Sequence, residues 1–157
     1  MFRSMRRSKQ QLSAEDCVEL LKREKRGVLS VIGDDGYPYG IPLNHYYAAD
    51  GKLYFHGAKE GHKLDAINRC ARACYTVLEK GTRPYGEWAY HVKSVVVFGT
   101  VSLVTNEEKA KEICLAIGAK FTDDKAYWER EWESAKTRVQ CLELTPQHMT
   151  GKLVKES

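Results

Sequence analysis

The sequence "GVLSVIGDDGYPYGIPLNHYYAADGKLYFHGA", residues 27–58, contains three apolar or aromatic runs separated by two glycine-ended turns. The turns are "DDG" at 34–36 and "ADG" at 49–51. Asp-Gly pairs favour tight hairpins because glycine accepts positive φ angles at little cost. The stretch therefore predicts three antiparallel strands in succession. Pro38 and Pro42 cannot donate a ladder hydrogen bond, so we expect the second strand at an edge or a bulge.

Helices and further strands are expected on both sides of this stretch. Residues 12–27, "LSAEDCVELLKREKRG", predict an amphipathic helix with Ser13 as N-cap and Asp16 three residues later. A second helix is expected from Gly61 to Cys70. The later segments predict strands at 71–80 and 94–104, a helix capped by Thr105, a helix at 124–136, a strand at 137–146 and a C-terminal tail at 146–157.

Six strands with inserted helices make the chain mainly β. At 157 residues it has the length of one domain, and we expect residues 1–157 to form that domain. Mostly sequential, antiparallel strands favour a small closed or partly open barrel over a doubly wound sheet. The regular strand–helix alternation of a dinucleotide-binding fold is missing.

The charge distribution separates a basic leader from a neutral body. The chain has 25 Lys and Arg against 21 Asp and Glu, and four of the basic residues, Arg3, Arg6, Arg7 and Lys9, lie among the first ten. The remaining body is neutral, which argues against nucleic acid as a partner, because such binding needs a basic face on the domain. We interpret residues 1–12 as a solvated basic leader.

Membrane and disulfide-rich classes are also disfavoured. No apolar run approaches the roughly 20 residues of a membrane helix, and the first residues do not have the pattern of a secretory signal. We therefore expect a cytoplasmic protein with no membrane partner. The five cysteines contain no Cys-x-x-Cys pair, which indicates reduced, mostly buried thiols.

The segment "YFHGAKEGHKLDAI", residues 54–67, places basic side chains and two glycines between a strand and a helix. Backbone N–H groups and the positive end of a helix dipole suit an anion. The spacing Gly57-x3-Gly61-x-Lys63 fits neither a Walker A loop nor Gly-x-Gly-x-x-Gly, so a single phosphate monoester is the better ligand. A plain strand-to-helix turn with solvated lysines is the alternative.

A metal site is a further alternative for the histidines. His45, His56, His62 and His91 come from different predicted elements, and no carboxylate accompanies them at helical spacing. We therefore expect no metal.

Five segments, taken in order, resemble a known family. They are "MRRSKQ" at 5–10, "GDDGYPYGIPLNHYY" at 33–47, "GKLYFHGAKEGHKLDAI" at 51–67, "SVVVFGTVSLV" at 94–104 and "HMTGK" at 148–152. Together they resemble the nitroimidazole-resistance branch of the pyridoxamine 5′-phosphate oxidase-like flavin-binding proteins. The resemblance implies a six-stranded antiparallel split β-barrel and a homodimer that binds FMN at the subunit interface.

The resemblance also implies which residues bind the cofactor. The FMN phosphate would lie against His56, Gly57, Ala58, Gly61, His62 and Lys63. The isoalloxazine edge would follow Pro42, Leu43, Asn44 and His45, and Ser94 and Val95 would approach the cofactor from the fifth strand.

The resulting hypothesis is an FMN-dependent oxidoreductase. A small-molecule donor such as NADH or NADPH would reduce the flavin, which would pass electrons to a small acceptor such as a nitroheterocycle. His45 is the candidate catalytic residue, because a histidine with a near-neutral pKa can protonate a reduced product. The alternatives are a flavin- or haem-binding sensor or storage module without turnover, and a barrel that binds single-stranded nucleic acid.

Overall fold

A computed structural model describes residues 1–156, and strands dominate it. The strands are β1 (Arg26–Ile32), β2 (Pro38–Asn44), β3 (Tyr46–Tyr47), β4 (Leu53–Ala58), β5 (Arg72–Leu78), β6 (Tyr90–Val104) and β7 (Val139–Glu156). The helices are α1 (Ala14–Arg23), α2 (His62–Arg69), α3 (Glu107–Ala119) and α4 (Lys125–Ala135), with 3₁₀ turns at Ser8–Gln10 and Asp34–Gly36. Ser157 lies outside the described residues.

The strands form a single curled antiparallel sheet in the order β2-β1-β5-β6-β7-β4-β3. The sheet bends until β2, at one edge, approaches β4 near the other edge. We call the opening between these two strands the seam. The half-barrel confirms the predicted split-barrel fold, with seven strands rather than six, because the second run breaks at His45 and resumes as β3.

The two glycine-ended turns are formed as predicted. In the first hairpin, Asp35 and Gly36 both have positive φ, at 55° and 76°. In the second, Gly51 has a φ of 78°. The strand that contains both prolines, β2, pairs with β1 and lies at the end of the sheet order. The prolines therefore mark an edge strand, as expected.

The barrel interior is the main core, and α1 and α2 pack their apolar faces onto it. Alternate side chains of β1, β5 and β6 enter this core, among them Leu29, Tyr75 and Val97. In α1, the Ser13 hydroxyl accepts from the Asp16 N–H at 3.0 Å, which confirms the predicted N-cap.

A second core lies on the opposite face of β4 and β7, beneath α3. There Ile113 and Ile117 pack with Tyr54 and Cys141. The helix is capped by Asn106, whose side chain accepts from the Lys109 N–H, rather than by Thr105 as predicted. The side-chain carbonyl oxygen of Asn106 accepts the hydrogen bond that was expected to go to the Thr105 hydroxyl. Helix α4 packs against α3 and completes a two-helix layer outside the barrel.

The predicted C-terminal tail at 146–157 is wrong for the residues described. Strand β7 runs from Val139 to Glu156 and pairs with β6 along almost its whole length. Phe98 pairs with His148 and Gly99 pairs with Pro146, so Gln147 of β7 has no partner in β6. The proline of β7 therefore lies next to an irregularity in the strand pairing. The polar second half of β7 does not signal a strand by itself, but the long β6 provides the partner.

The leader at 1–12 is also more attached than expected. The Leu12 N–H donates to the Gly151 carbonyl at 2.9 Å, and Gln11 forms a bridge with Lys152. The Phe2 ring stacks on His148 with 4.8 Å between centroids. Part of the leader therefore packs on β7. Within residues 1–156, no helix is long and apolar enough to cross a membrane.

Candidate functional site

The seam brings together two segments that the sequence places far apart. Asn44, at the end of β2, and His56, on β4, line one cleft of about 380 Å³. Helices α3 and α4 and the loop between them form the other wall, with Cys114, Ile117, Gly118, Phe121, Trp128, Glu131, Trp132 and Ala135. The cleft therefore combines two predicted site residues with a mostly apolar, aromatic wall.

Next to this cleft, Lys63 and Gly57 are in direct contact. A Cβ at Gly57 would collide with the Lys63 ammonium, so a larger residue at 57 would displace that charge. Burial lowers the pKa of Lys63. Burial, together with the nearby Lys63 charge, also lowers the pKa of His56. Lys63 contacts Gly57, and His56, the preceding residue of β4, is near enough to be affected by the Lys63 charge; we call these three residues the basic cluster below.

The basic cluster adjoins the start of α2. Gly61 precedes this helix with a φ of 122°, a conformation that suits glycine, and no side chain caps it. The first N–H groups of any helix lack partners within the helix, and the helix dipole makes this end positive. Gly61 and the backbone at His62 and Lys63 therefore present donors at the end of the helix where an anion is favoured.

The His62 side chain contacts residues outside the basic cluster. Its ring stacks on Tyr39 with 4.2 Å between centroids, and its Nε2 lies 3.5 Å from a carboxylate oxygen of Asp34. Only the His62 backbone therefore remains at the helix start. Ala58 is exposed at the end of β4, beside Val139 of β7.

His45 is buried rather than open to a ligand. Its exposed fraction is 0%, its Nε2 donates to the Leu21 carbonyl at 2.7 Å, and its Nδ1 lies 2.8 Å from the Tyr75 hydroxyl. Burial, reinforced by the Lys120 charge, lowers the pKa of His45 to about 4. This geometry argues against the predicted proton donor, because both nitrogens are engaged and the ring reaches no cavity.

Pro42, Asn44 and Ser94 share the outer face of the sheet. Strand pairing aligns Pro42 with Val28, Val28 with Thr76, and Thr76 with Val96. Asn44 lies two residues after Pro42 in β2, and Ser94 lies two residues before Val96 in β6, so both belong to the next row on the same face. Because side chains on neighbouring strands at paired positions point to the same side, these three predicted residues border one continuous surface.

Leu43 and Val95 point the other way. The Leu43 side chain packs against the barrel core, and Val95 is fully buried within it. Val95 pairs with both Val77 and Gly151, so its backbone groups lie within the sheet. Any contact of Val95 with a ligand would therefore be indirect.

The histidines are spread over separate environments. The His91 Nε2 lies 2.7 Å from a Glu87 carboxylate oxygen, far along the chain from the partners of His45 and His62. Within residues 1–156 no group of three or more histidine, cysteine and acidic side chains is arranged to hold a metal.

The aromatic wall of the cleft was not predicted as part of the site. Trp132 is buried and Trp128 is half-buried, and both line the cleft. Their spacing of four residues puts the two indoles on one face of α4, and this is the sequence signal that could have indicated a shared surface. Trp88, in contrast, is 80% exposed in the loop before β6.

The open antiparallel barrel with its seam between β2 and β4 defines the class of protein as a split barrel. Residues 13–153 match the model of the family described as Pyridoxamine 5′-phosphate oxidase, and the chain belongs to this family. This match confirms the resemblance found in the sequence. The chain matches no curated protein sequence at a significant level.

Solved structures share the fold. A candidate 5-nitroimidazole antibiotic resistance protein from Bacteroides thetaiotaomicron has a TM-score of 0.78 at 20% identity, covering 93% of this chain and 87% of that one. An FAD-binding protein from Mesorhizobium loti has a TM-score of 0.70 at 25% identity, with 92% and 97% covered. An FAD and haem binding protein from Mycobacterium smegmatis has a TM-score of 0.66 at 20% identity, with 92% and 73% covered.

Proposed function

We propose that this chain binds FMN and acts as a flavin-dependent oxidoreductase on a small acceptor. The observation that carries the proposal is that His56 of the basic cluster lines one cleft with Asn44, which also borders the outer sheet face together with Pro42 and Ser94. A charged end beside a flat surface suits a ligand with a phosphate and a planar ring.

The basic cluster fits a phosphate for electrostatic reasons. Lys63 is half-buried, and within residues 1–156 it forms no ion pair with a carboxylate. A partly dehydrated ammonium without a counter-charge is unfavourable, and a dianionic phosphate would relieve that cost. The start of α2 adds backbone donors for the same group.

The outer sheet face fits a planar ring. Val28 and Leu78 are exposed apolar side chains between the strands that carry Asn44 and Ser94. Because β2 is an edge strand, alternate backbone groups point away from the sheet and can bind the polar edge of a ring. Bound FMN would supply the redox chemistry, while these residues would hold, orient and shield it.

The cleft fits an acceptor of modest size. Its aromatic residues Phe121, Trp128 and Trp132 suit stacking on a flat, apolar compound such as a nitroheterocycle. Electrons would come from a small donor such as NADH or NADPH. The resemblance to a candidate 5-nitroimidazole antibiotic resistance protein and to an FAD-binding protein supports this choice of chemistry.

A homodimer is part of the proposal. The outer sheet face carries exposed apolar side chains, including Leu78 at 64% exposure, together with Val28 and Phe98. A second copy of the chain would remove this surface from water at an estimated gain of about 25 cal/mol per Å² of apolar area. FMN would then lie between the two subunits.

The direct test is calorimetric titration of the purified protein with FMN, FAD and riboflavin, followed by anaerobic mixing with NADH or NADPH. We expect FMN to bind, riboflavin to bind more weakly, and bound flavin to be bleached by a nicotinamide and reoxidised by a nitroimidazole. Bound flavin that no donor reduces would favour a sensor or storage module instead. Protein that ignores all three flavins would refute the proposal.

A further inference from the structure

Two cysteines far apart in sequence meet behind the cleft. Cys114 on α3 and Cys141 on β7 have 3.7 Å between their sulfur atoms. They meet because Ile113 and Ile117 hold α3 against the outer face of β4 and β7. No other pair of cysteine sulfurs is in hydrogen-bond contact within residues 1–156.

The two thiols differ in access. Cys114 is half-buried and lines the cleft, whereas Cys141 is only 1% exposed. The Cys141 sulfur also lies 3.6 Å from the Ala110 carbonyl, which is an alternative acceptor for the one S–H proton that Cys141 can donate to Cys114. A small molecule that enters the cleft therefore reaches the sulfur of Cys114 first, and the buried sulfur of Cys141 lies 3.7 Å from that of Cys114.

The contact also shifts the pKa values of the two thiols in opposite directions. The hydrogen bond with Cys141 lowers the pKa of Cys114, against the opposing effect of burial. The same hydrogen bond, together with burial, raises the pKa of Cys141. The thiolate is the nucleophilic form of cysteine, so the reactive form is favoured at the accessible Cys114 rather than at Cys141.

We propose that Cys114 and Cys141 are a redox-active thiol pair that hydrogen peroxide converts to a disulfide. The Cys114 thiolate attacks one peroxide oxygen, an S–O bond forms, the O–O bond breaks and hydroxide leaves. The Cys141 sulfur then attacks the Cys114 sulfur, an S–S bond forms, and the sulfenic oxygen leaves as water with the Cys141 proton. One peroxide becomes two waters, and the two thiols together lose two electrons and two protons.

The geometry requires only a small movement. A disulfide needs about 2.05 Å between sulfurs, so the two atoms must approach by less than about 2 Å. Cys114 lies in the middle of α3, so its sulfur would withdraw from the wall of the cleft toward β7. Formation of the disulfide would thus report that peroxide has entered the cleft. This reactivity does not depend on bound flavin.

Peptide mapping of the intact protein tests the proposal. Trypsin separates all five cysteines, and Cys114 and Cys141 fall in residues 112–120 and 139–152. After brief treatment of the native protein with hydrogen peroxide and alkylation of free thiols, we expect these two peptides to appear linked. Reduction with dithiothreitol should separate them, and the peptide containing Cys17 should remain alkylated.

Single substitutions give the second readout. In Cys141→Ser, the sulfenic acid at Cys114 has no thiol to resolve it, so dimedone should label residues 112–120 and the linked peptide should vanish. Cys74→Ser is the matched control and should leave the linkage unchanged. Peroxide treatment that leaves both peptides unlinked and alkylated, or that links Cys114 to Cys70 or Cys74, would overturn the proposal.

Discussion

The hydroxyl of Tyr75 lies 2.8 Å from the Nδ1 atom of His45, inside the barrel. The same hydroxyl lies 3.0 Å from the Leu43 carbonyl, so its single proton can serve either that oxygen or Nδ1, and the opposite ring nitrogen of His45 donates to the Leu21 carbonyl on α1. The imidazole therefore connects α1, the end of β2 and β5 through one buried network. Lys120 completes it by donating to the His45 carbonyl at 3.0 Å. This network fixes the place where β2 ends and β3 begins.

The pH dependence of stability should report on this network. The pKa of His45 falls from 6.5 to about 4 on folding, so the folded protein keeps the ring neutral where the unfolded chain protonates it. The stabilisation is complete above pH 6.5 and is lost as the pH falls toward 4, by up to about 3 kcal/mol. Urea unfolding at pH 7.5, 6 and 5 should therefore show a falling free energy of unfolding.

Replacement of His45 should reduce the fall of the unfolding free energy with decreasing pH. We expect His45→Leu to cost about 1–3 kcal/mol at pH 7.5, because buried partners lose their hydrogen bonds, and to flatten the decline below pH 6.5. His62→Leu is the control, because the His62 side chain is 40% exposed. Equal slopes in the wild type and in His45→Leu would contradict the assignment.

Lys63 should matter more than Lys59 for binding a flavin phosphate. Lys63 contacts Gly57 in the basic cluster, whereas Lys59 is exposed in the loop before α2. Loss of a charge-assisted hydrogen bond costs about 1.5–3 kcal/mol, so Lys63→Ala should weaken FMN binding roughly tenfold to a hundredfold. Lys59→Ala should have little effect.

Riboflavin separates the phosphate contribution from the ring contribution in this comparison. Because riboflavin has no phosphate, calorimetry should give the same riboflavin affinity for both lysine variants. If Lys63→Ala weakens FMN and riboflavin equally, the ammonium does not contact the phosphate.

Local patterns predicted the hairpins and the basic cluster, because their determinants are close in sequence. Asp35 and Gly36 provide the positive φ angles of the first turn within two adjacent residues. Gly57 and Lys63 are separated by a single turn into α2. In such segments the backbone preferences of a few residues decide the structure, so no distant partner has to be known.

The predictions for His45 and for the C-terminal segment were wrong because residues far away in the sequence determine the structure there. His45 was predicted to lie beside the flavin ring, but it is buried against Tyr75, 30 residues later, and Lys120, 75 residues later. The polar end of β7 became a strand because the long β6 offered a partner for it. Local spacing contains no information about such pairings, and a polar segment can join a sheet whenever a neighbour satisfies its backbone groups.

The outer sheet face should be needed for dimerisation. Leu78 is exposed at the end of β5, next to Ser94 on β6. Leu78→Asp would place a charge in an apolar subunit interface, so light scattering should show a shift from dimer to monomer at micromolar concentration. Tyr127→Asp, on α4 away from this face, is the control and should stay dimeric. A wild-type protein that is monomeric while it holds FMN would contradict the proposed interface.

The contact between Gly118 and Trp128 should decide how α3 and α4 pack. A Cβ at Gly118 would collide with the Trp128 ring, which also lines the cleft. Alanine usually stabilises a helix by about 1 kcal/mol relative to glycine, but overpacking costs about 1–3 kcal/mol. Gly118→Ala should therefore destabilise the protein in urea unfolding, despite the better helix former. In a Trp128→Ala background the same substitution should become neutral or stabilising, because the ring is gone. An effect of the same sign and size in both backgrounds would show that the two residues are not coupled.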